Sequence, residues 1–206
     1  MRAENATLHG DHLQRRQVVA VVGGRGAVRQ QQAFEAAVVG VAHRGVDADV
    51  GRDAGQDQVL DAARAQHQFE VGRIKIRREL ADVPVLVVGL EHQLQQVFLN
   101  LFLNARDAMP SGGWLVVSTR VDGDRVIAEV ADTGSGIPTE HLARIYDPFF
   151  TTKAIGRGTG LGLSISYGIV REHDGEIHCD SGVGQGTRFT LSLPRATEVE
   201  RASARM

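Results

Sequence analysis

From Arg73 onward the apolar positions recur with a regular period. Ile74 and Ile76 alternate with charged residues through Arg73–Leu80, and Val83–Val88 is a β-branched run whose Pro84 suits the start of a strand. Glu91–Met109 contains neither glycine nor proline and is rich in Leu, Gln and Ala. It predicts one long helix, stopped by Pro110, Gly112 and Gly113. Trp114–Val121 and Arg125–Val130 flank Asp122-Gly123-Asp124, the pattern of a hairpin. Pro138 suits the first turn of a short helix reaching Tyr146. A Gly- and Thr-rich loop, Thr151–Gly160, then leads into a helix over Leu161–His173 that ends at Asp174-Gly175. Strands Glu176–Asp180 and Thr187–Leu193 come next, joined by a turn at Gly182–Gly186. The order β, β, α, β, β, short α, loop, α, β, β predicts an α+β fold, a two-layer sandwich of a mixed β-sheet with helices on one face.

Before Arg73 the chain reads differently. It holds no Ser, Pro, Ile, Lys, Tyr, Trp or Cys, while Gln is concentrated there. Gln30–Val41 could make a short helix, but Gly40, Gly45, Gly51 and Gly55 break any regular period after it. Val18–Arg29 has the look of a strand and glycine turn for a dinucleotide, with Arg29 where a third glycine belongs. The expected organisation is a poorly specified or disordered segment over 1–67, a folded domain over 68–194 and a flexible tail over 195–206. The formal net charge of -2 removes any whole-chain argument for nucleic acid. Cys179, the one cysteine, cannot close an internal disulfide, which fits a reducing compartment. No apolar run approaches the roughly 20 residues that span a bilayer, so a cytoplasmic chain without a membrane segment is expected.

Three features carry candidate chemistry. Gln96, Asn100, Asn104 and Asp107 fall on one stripe of the long helix, whose remaining faces are apolar. A polar network in the core would explain an isolated Asn pair; amide oxygens able to ligate a hard cation would explain it as well. Asp132-Thr133-Gly134-Ser135-Gly136-Ile137-Pro138 comes directly after a strand. That places a carboxylate, able to accept from an exocyclic amine such as adenine's, beside glycines that let a flat ring approach the backbone. A strand-ending turn is the plainer alternative. Gly156-Arg157-Gly158-Thr159-Gly160-Leu161-Gly162-Leu163 runs into a helix start, where backbone amides and the helix dipole favour phosphate oxygens. It is not a P-loop, since no Lys comes after the glycines, but Lys153 and Arg157 could neutralise a polyphosphate. A mobile surface loop would be the alternative. In this order the three suit one ligand, a purine nucleotide with Mg²⁺.

Gln96–Ala108 (QVFLNLFLNARDA), Asp132–Pro138 (DTGSGIP), Tyr146–Lys153 (YDPFFTTK), Gly158–Leu163 (GTGLGL) and Gly184–Phe189 (GQGTRF) together resemble the catalytic ATP-binding domain of bacterial sensor histidine kinases, within the superfamily of gyrase B, Hsp90 and MutL. The PFFTTK block is similar to the histidine kinase branch in particular. The resemblance implies a Bergerat-type ATP-binding fold, ATP and Mg²⁺ as ligands, and transfer of the γ-phosphate to a histidine for relay to a response regulator receiver domain. It implies that Asn104 ligates Mg²⁺ with Asn100 in support, that Asp132 reads the adenine amine, and that Gly134, Gly136 and Ile137 shape its pocket. It also implies that Thr187 supports Asp132 through water, that Thr151–Gly160 forms a mobile lid over the phosphates packed by Phe149 and Phe150, and that Asp107, Lys153, Gly158, Thr159, Gly160, Leu161 and Gly162 bind the nucleotide. It implies a catalytic role for Asn100 and Lys153. Asn100 stands where the gyrase-type ATPases have a water-activating Glu, and an amide cannot act as a general base.

A kinase of this family also needs a phosphoacceptor His followed by an acidic residue on one of two dimerising helices. His9, His12, His43 and His67 are followed by Gly, Leu, Arg and Gln, and the acceptor stays unassigned, with His43 the best placed. Residues 1–67 are too short and glycine-broken for sensor and dimerising helices, and a remnant or mistranslated region would explain their composition. The alternative function is therefore an ATP-binding module without autonomous kinase activity, partnered by histidine-bearing dimerisation helices in cis or in trans. His92, His141, His173 and His178 read as helix-end or solvated residues, and Trp114 and Cys179 as core or half-buried strand residues.

Overall fold

The computed structural model describes residues 17–20, 72–82, 85–154 and 158–197. The elements are β1 (Gln17–Ala20), β2 (Ile74–Glu79), β3 (Leu86–Gly89), α1 (Glu91–Ala108), β4 (Gly113–Asp122), β5 (Arg125–Asp132), α2 (Thr139–Leu142), α3 (Gly162–Glu172), β6 (Glu176–Gly182) and β7 (Gly186–Pro194). Five strands form a mixed sheet in the order β2-β4-β5-β7-β6, with β2 parallel to β4 and the other pairs antiparallel. The α+β sandwich expected from the element order is the fold observed.

The alternation of β4 turns Leu115, Val117 and Thr119 inward, and the same register brings in Val126, Ala128 and Val130 of β5 and Phe189, Leu191 and Leu193 of β7. Against this face α1 lays Leu94, Val97, Phe98, Leu101, Phe102 and Ala105, all buried, with Ile169 and Val170 of α3 beside them. Repeats of three and four along α1 make that stripe continuous. The opposite sheet face is polar. Glu129 there holds Arg120 at 2.7 Å and Arg188 at 2.8 Å, cross-strand pairs that cover the sheet without burying it. Trp114 lies on this side at 46% exposure under the Lys75 ammonium, so it is not the half-buried residue expected from its strand.

Three boundaries differ from expectation. The second strand does not join the main sheet. β3 pairs with β1 instead, antiparallel from Gln17↔Gly89 to Ala20↔Leu86, so four residues of the segment expected to be unspecified form a strand. The short helix stops at Leu142, because Arg144 donates three residues back to His141 and the chain turns to drive Ile145 into the core. Hydrogen bonding also passes the expected end at 194. Arg195 donates to Asp124, Ala196 donates to Leu86, and Ala196 is buried. The Gln30–Val41 helix, the glycine turn after Val22, His9, His12, His43, His67, Pro84, Gly156, Arg157 and 198–206 lie outside the described residues. Among the described residues no helix is long and apolar enough to cross a membrane.

Candidate functional site

Asp132 ends β5, where its Oδ1 accepts the Gly134 N–H at 2.8 Å and closes a tight turn. The turn passes beneath the end of α1. Ser135 donates to the Ala108 carbonyl, and a side chain at Gly134 would meet that oxygen at 2.5 Å. Gly136 has φ +70, and a Cβ there would strike the Gly182 carbonyl, so both glycines are required by close approach. The Ser181 hydroxyl knits the far wall. It accepts from Ile137 N–H at 2.8 Å, donates to Gly186 O at 2.8 Å and shares a bond with Thr187 Oγ1 at 2.9 Å.

Thr187 stands opposite Asp132 in the ladder and reaches it with its backbone N–H, while its hydroxyl is engaged by Ser181. Burial raises the Asp132 pKa above the ordinary aspartate value, and the N–H groups of Gly134 and Thr187 offset this only in part. A carboxylate held against desolvation, beside backbone stripped of side chains, has the chemistry to accept a hydrogen bond from a donor in the pocket.

The second half of the site lies along α1. Gln96 is exposed and joins nothing there, whereas Asn100, Asn104 and Asp107 face the segment beyond α2. Lys153 Nζ donates to Asn104 Oδ1 at 3.1 Å and to Asp107 Oδ2 at 2.7 Å. Arg106 holds the other Asp107 oxygen at 2.6 Å. Burial acts to raise the Asp107 pKa, but the hydrogen bonds and charges of Lys153 and Arg106 outweigh it and hold it lowered. An amide oxygen and a carboxylate oxygen thus already share one ammonium, and a divalent cation with phosphate oxygens fits the same hard donors. Asn100 is placed differently. Its Nδ2 donates to Gly162 O and to Ser166 Oγ, each at 3.1 Å, joining α1 to the first turn of α3.

The glycine-rich segment connects the halves. Lys153 and Thr151 border Gly158, and Thr159 Oγ1 accepts the Leu161 N–H at 3.3 Å. Gly160 bonds back to Phe149 at 3.0 Å. The first-turn amides of α3 open from Gly162, with no intrahelical acceptor for them. The two lid phenylalanines have separate fates. Phe150 is half-buried, edge-on to His141 at 5.5 Å and beneath Arg144 at 4.6 Å. Phe149 is 73% exposed at φ 66 and makes no ring contact among the described residues, while part of the segment it is expected to pack lies outside them.

No sequence signal gave Ser166, Ser181 or His173 a part in the site. His173 sits at the end of α3 as expected, yet it is buried. Its Nδ1 faces the Ile169 carbonyl, so that nitrogen carries the proton, and Nε2 accepts the Leu90 N–H at 3.0 Å. No local pattern marks the two serines, because their partners lie far away in the sequence. Cys179 is half-buried with its thiol pKa pushed up to about 12 by burial, which keeps it a neutral thiol near neutral pH.

Residues 89–197 match the family model described as histidine kinase-, DNA gyrase B-, and HSP90-like ATPase. The chain is 49% identical to the sensor kinase CckA of Brucella abortus, over 53% of this chain and 13% of that protein. It is 40% identical to sporulation kinase A of Bacillus subtilis, over 65% of this chain and 22% of that one. The chain therefore spans less than a quarter of the length of these two relatives. Among solved structures, the nucleotide-free catalytic domain of histidine kinase ThkA superposes with a TM-score of 0.59 at 27% identity, covering 69% of this chain and 92% of that domain. Full-length ShkA in complex with AMPPNP gives 0.58 at 28% identity, covering 79% of this chain and 34% of ShkA.

Proposed function

The chain belongs to the histidine kinase-, DNA gyrase B- and HSP90-like ATPase family, and on that premise we propose that it binds ATP with Mg²⁺ and supplies the γ-phosphate to a histidine, for relay to the receiver domain of a response regulator. Its curated relatives are sensor kinases, so the ATP-binding domain is of the histidine kinase type. Asp132 accepts from the adenine amine, while Gly134, Gly136, Ile137, Thr187 and Phe150 bound the ring. Gly158, Thr159, Gly160, Leu161 and Gly162 offer backbone amides to the phosphates at the start of α3. Lys153 exchanges its hold on Asp107 for the terminal phosphate. Asn104, with Asn100 and Asp107 beside it, would hold Mg²⁺, which when bound supplies neutralisation of phosphate charge. In the transfer the acceptor imidazole nitrogen forms a bond to the γ-phosphorus as the bond to the β-bridging oxygen breaks. ADP leaves and the imidazole proton passes to water.

One observation carries transfer over hydrolysis. Asn100, on the α1 stripe beside Asn104, is an amide whose Nδ2 is held by Gly162 and Ser166 of α3. An amide cannot take a proton from water. The same feature separates this site from the hydrolytic branch of the family.

The acceptor lies elsewhere than the described histidines. His173 is buried with both ring nitrogens engaged, and His92, His141 and His178 are not on paired long helices. Incubation with γ-labelled ATP and Mg²⁺ tests the proposal, using the chain alone and then with histidine-bearing dimerisation helices added. Acid-labile, alkali-stable label on those helices is the expected result. Label on the chain itself that vanishes in His43→Ala would assign the acceptor to its N-terminal segment. ATP binding with no labelling under either condition would leave the nucleotide-binding module as the function. Absence of ATP binding in calorimetry would refute the reading as a whole.

A further inference from the structure

Ser166 is fully buried in α3, where a serine loses helix propensity against alanine and its hydroxyl requires partners. It donates to the Gly162 carbonyl one turn back at 2.9 Å and accepts from Asn100 Nδ2 at 3.1 Å. The same Nδ2 lies 3.1 Å from that Gly162 carbonyl, so the hydroxyl and the carbonyl face the amide together. A backbone carbonyl can only accept, so the Asn100 carboxamide has one allowed orientation, with Nδ2 toward α3. Turned over, Oδ1 would face Gly162 O acceptor to acceptor. Nδ2 is thus held by α3, and none of the described residues donates to Oδ1. This oxygen belongs to the same helical stripe as Asn104, whose own Oδ1 already carries an ammonium.

We infer that Ser166 is a positioning residue: with the Gly162 carbonyl it locks the Asn100 amide so that Oδ1 is presented to the cation and phosphates of the bound nucleotide. The inference rests on the Mg²⁺–ATP reading of the site. It also gives the glycine-rich segment a fixed end. Gly162 is the first helical residue after that segment, so one hydroxyl ties the orientation of a cation ligand to the place where the phosphate-binding amides begin.

Calorimetric titration with ADP, in Mg²⁺ and in EDTA, tests this on the whole chain and on Ser166→Ala. Loss of one buried hydrogen bond corresponds to about a fivefold effect. Ser166→Ala is expected to lose about fivefold of the affinity gained from Mg²⁺, while its affinity in EDTA stays within about twofold of wild type. A purely structural serine would instead change melting temperature, or affinity equally under both conditions, and either result without a Mg²⁺-specific loss overturns the inference. Ser166→Cys, near in volume with a weaker hydrogen-bonding group, should fall between, and reads the same contrast if the alanine variant does not fold. A third readout needs no nucleotide. The Asn100 side-chain amide hydrogens, tracked by NMR, should exchange faster in Ser166→Ala, and unchanged exchange refutes the lock. Wild-type protein that binds ADP equally with and without Mg²⁺ would refute the cation reading itself, whatever the amide hydrogens show.

Discussion

Replacing Asp132 with Asn separates binding from stability at the one carboxylate of the adenine pocket. The substitution keeps the shape, and an amide oxygen can still take the Gly134 N–H that Oδ1 accepts at 2.8 Å. The other oxygen becomes an NH₂ group that meets the adenine amine donor to donor. A hydrogen bond to a charged group contributes about 1.5 to 3 kcal/mol, so affinity should fall about 10- to 150-fold. Stability should move the other way. The Asp132 pKa is raised in the folded protein, so its contribution to stability is present below the ordinary aspartate value of about 4 and is lost as pH rises through the folded value. At neutral pH the ionised group is held at a cost, which the uncharged Asn removes. Calorimetry with ADP and a thermal melt at pH 7 check both halves: weaker binding with a melting temperature no lower than wild type. Wild-type affinity would refute the assigned pocket. A clearly lower melting temperature would refute the claim that the carboxylate is kept for the ligand. In wild type, affinity should also decline on acidification from a pH above the usual aspartate range, because the protonated acid loses its accepting charge.

Two other contacts give outcomes of their own. Lys153→Met removes the ammonium from Asn104 and Asp107; ATP affinity should fall about tenfold and ADP affinity less than about threefold, since the lost charge-assisted contact is with the terminal phosphate. Equal losses for both nucleotides in calorimetry would show that Lys153 does not reach that phosphate. His173→Ala leaves the part-buried Leu90 N–H without its acceptor and should cost about 1 to 3 kcal/mol in urea unfolding, whereas a change below about 0.5 kcal/mol would mean that water replaces the ring.

The periodicity of the chain determined most of the elements, because each depends on residues a few positions apart. The length of α1 comes from the absence of Gly and Pro, and the pairing of β4 with β5 comes from the Asp122–Asp124 turn. The chemistry of Asp132, Asn100, Asn104 and the glycine-rich segment was legible for the same reason, since each sits in a contiguous motif. What the tertiary structure alone decided is long-range pairing. β3 turns to β1 rather than to the main sheet, Trp114 comes out on the solvated face, and the chain stays bonded past Pro194 to Leu86 and Asp124. The residues that orient the site belong here too. Ser166 meets Asn100 from 66 positions away, Ser181 meets Ile137 from 44, and His173 meets Leu90 from 83. A hydroxyl or imidazole in a strand or helix has no period that announces its partner. Only folding brings donor to acceptor, and burial then makes the bond obligatory.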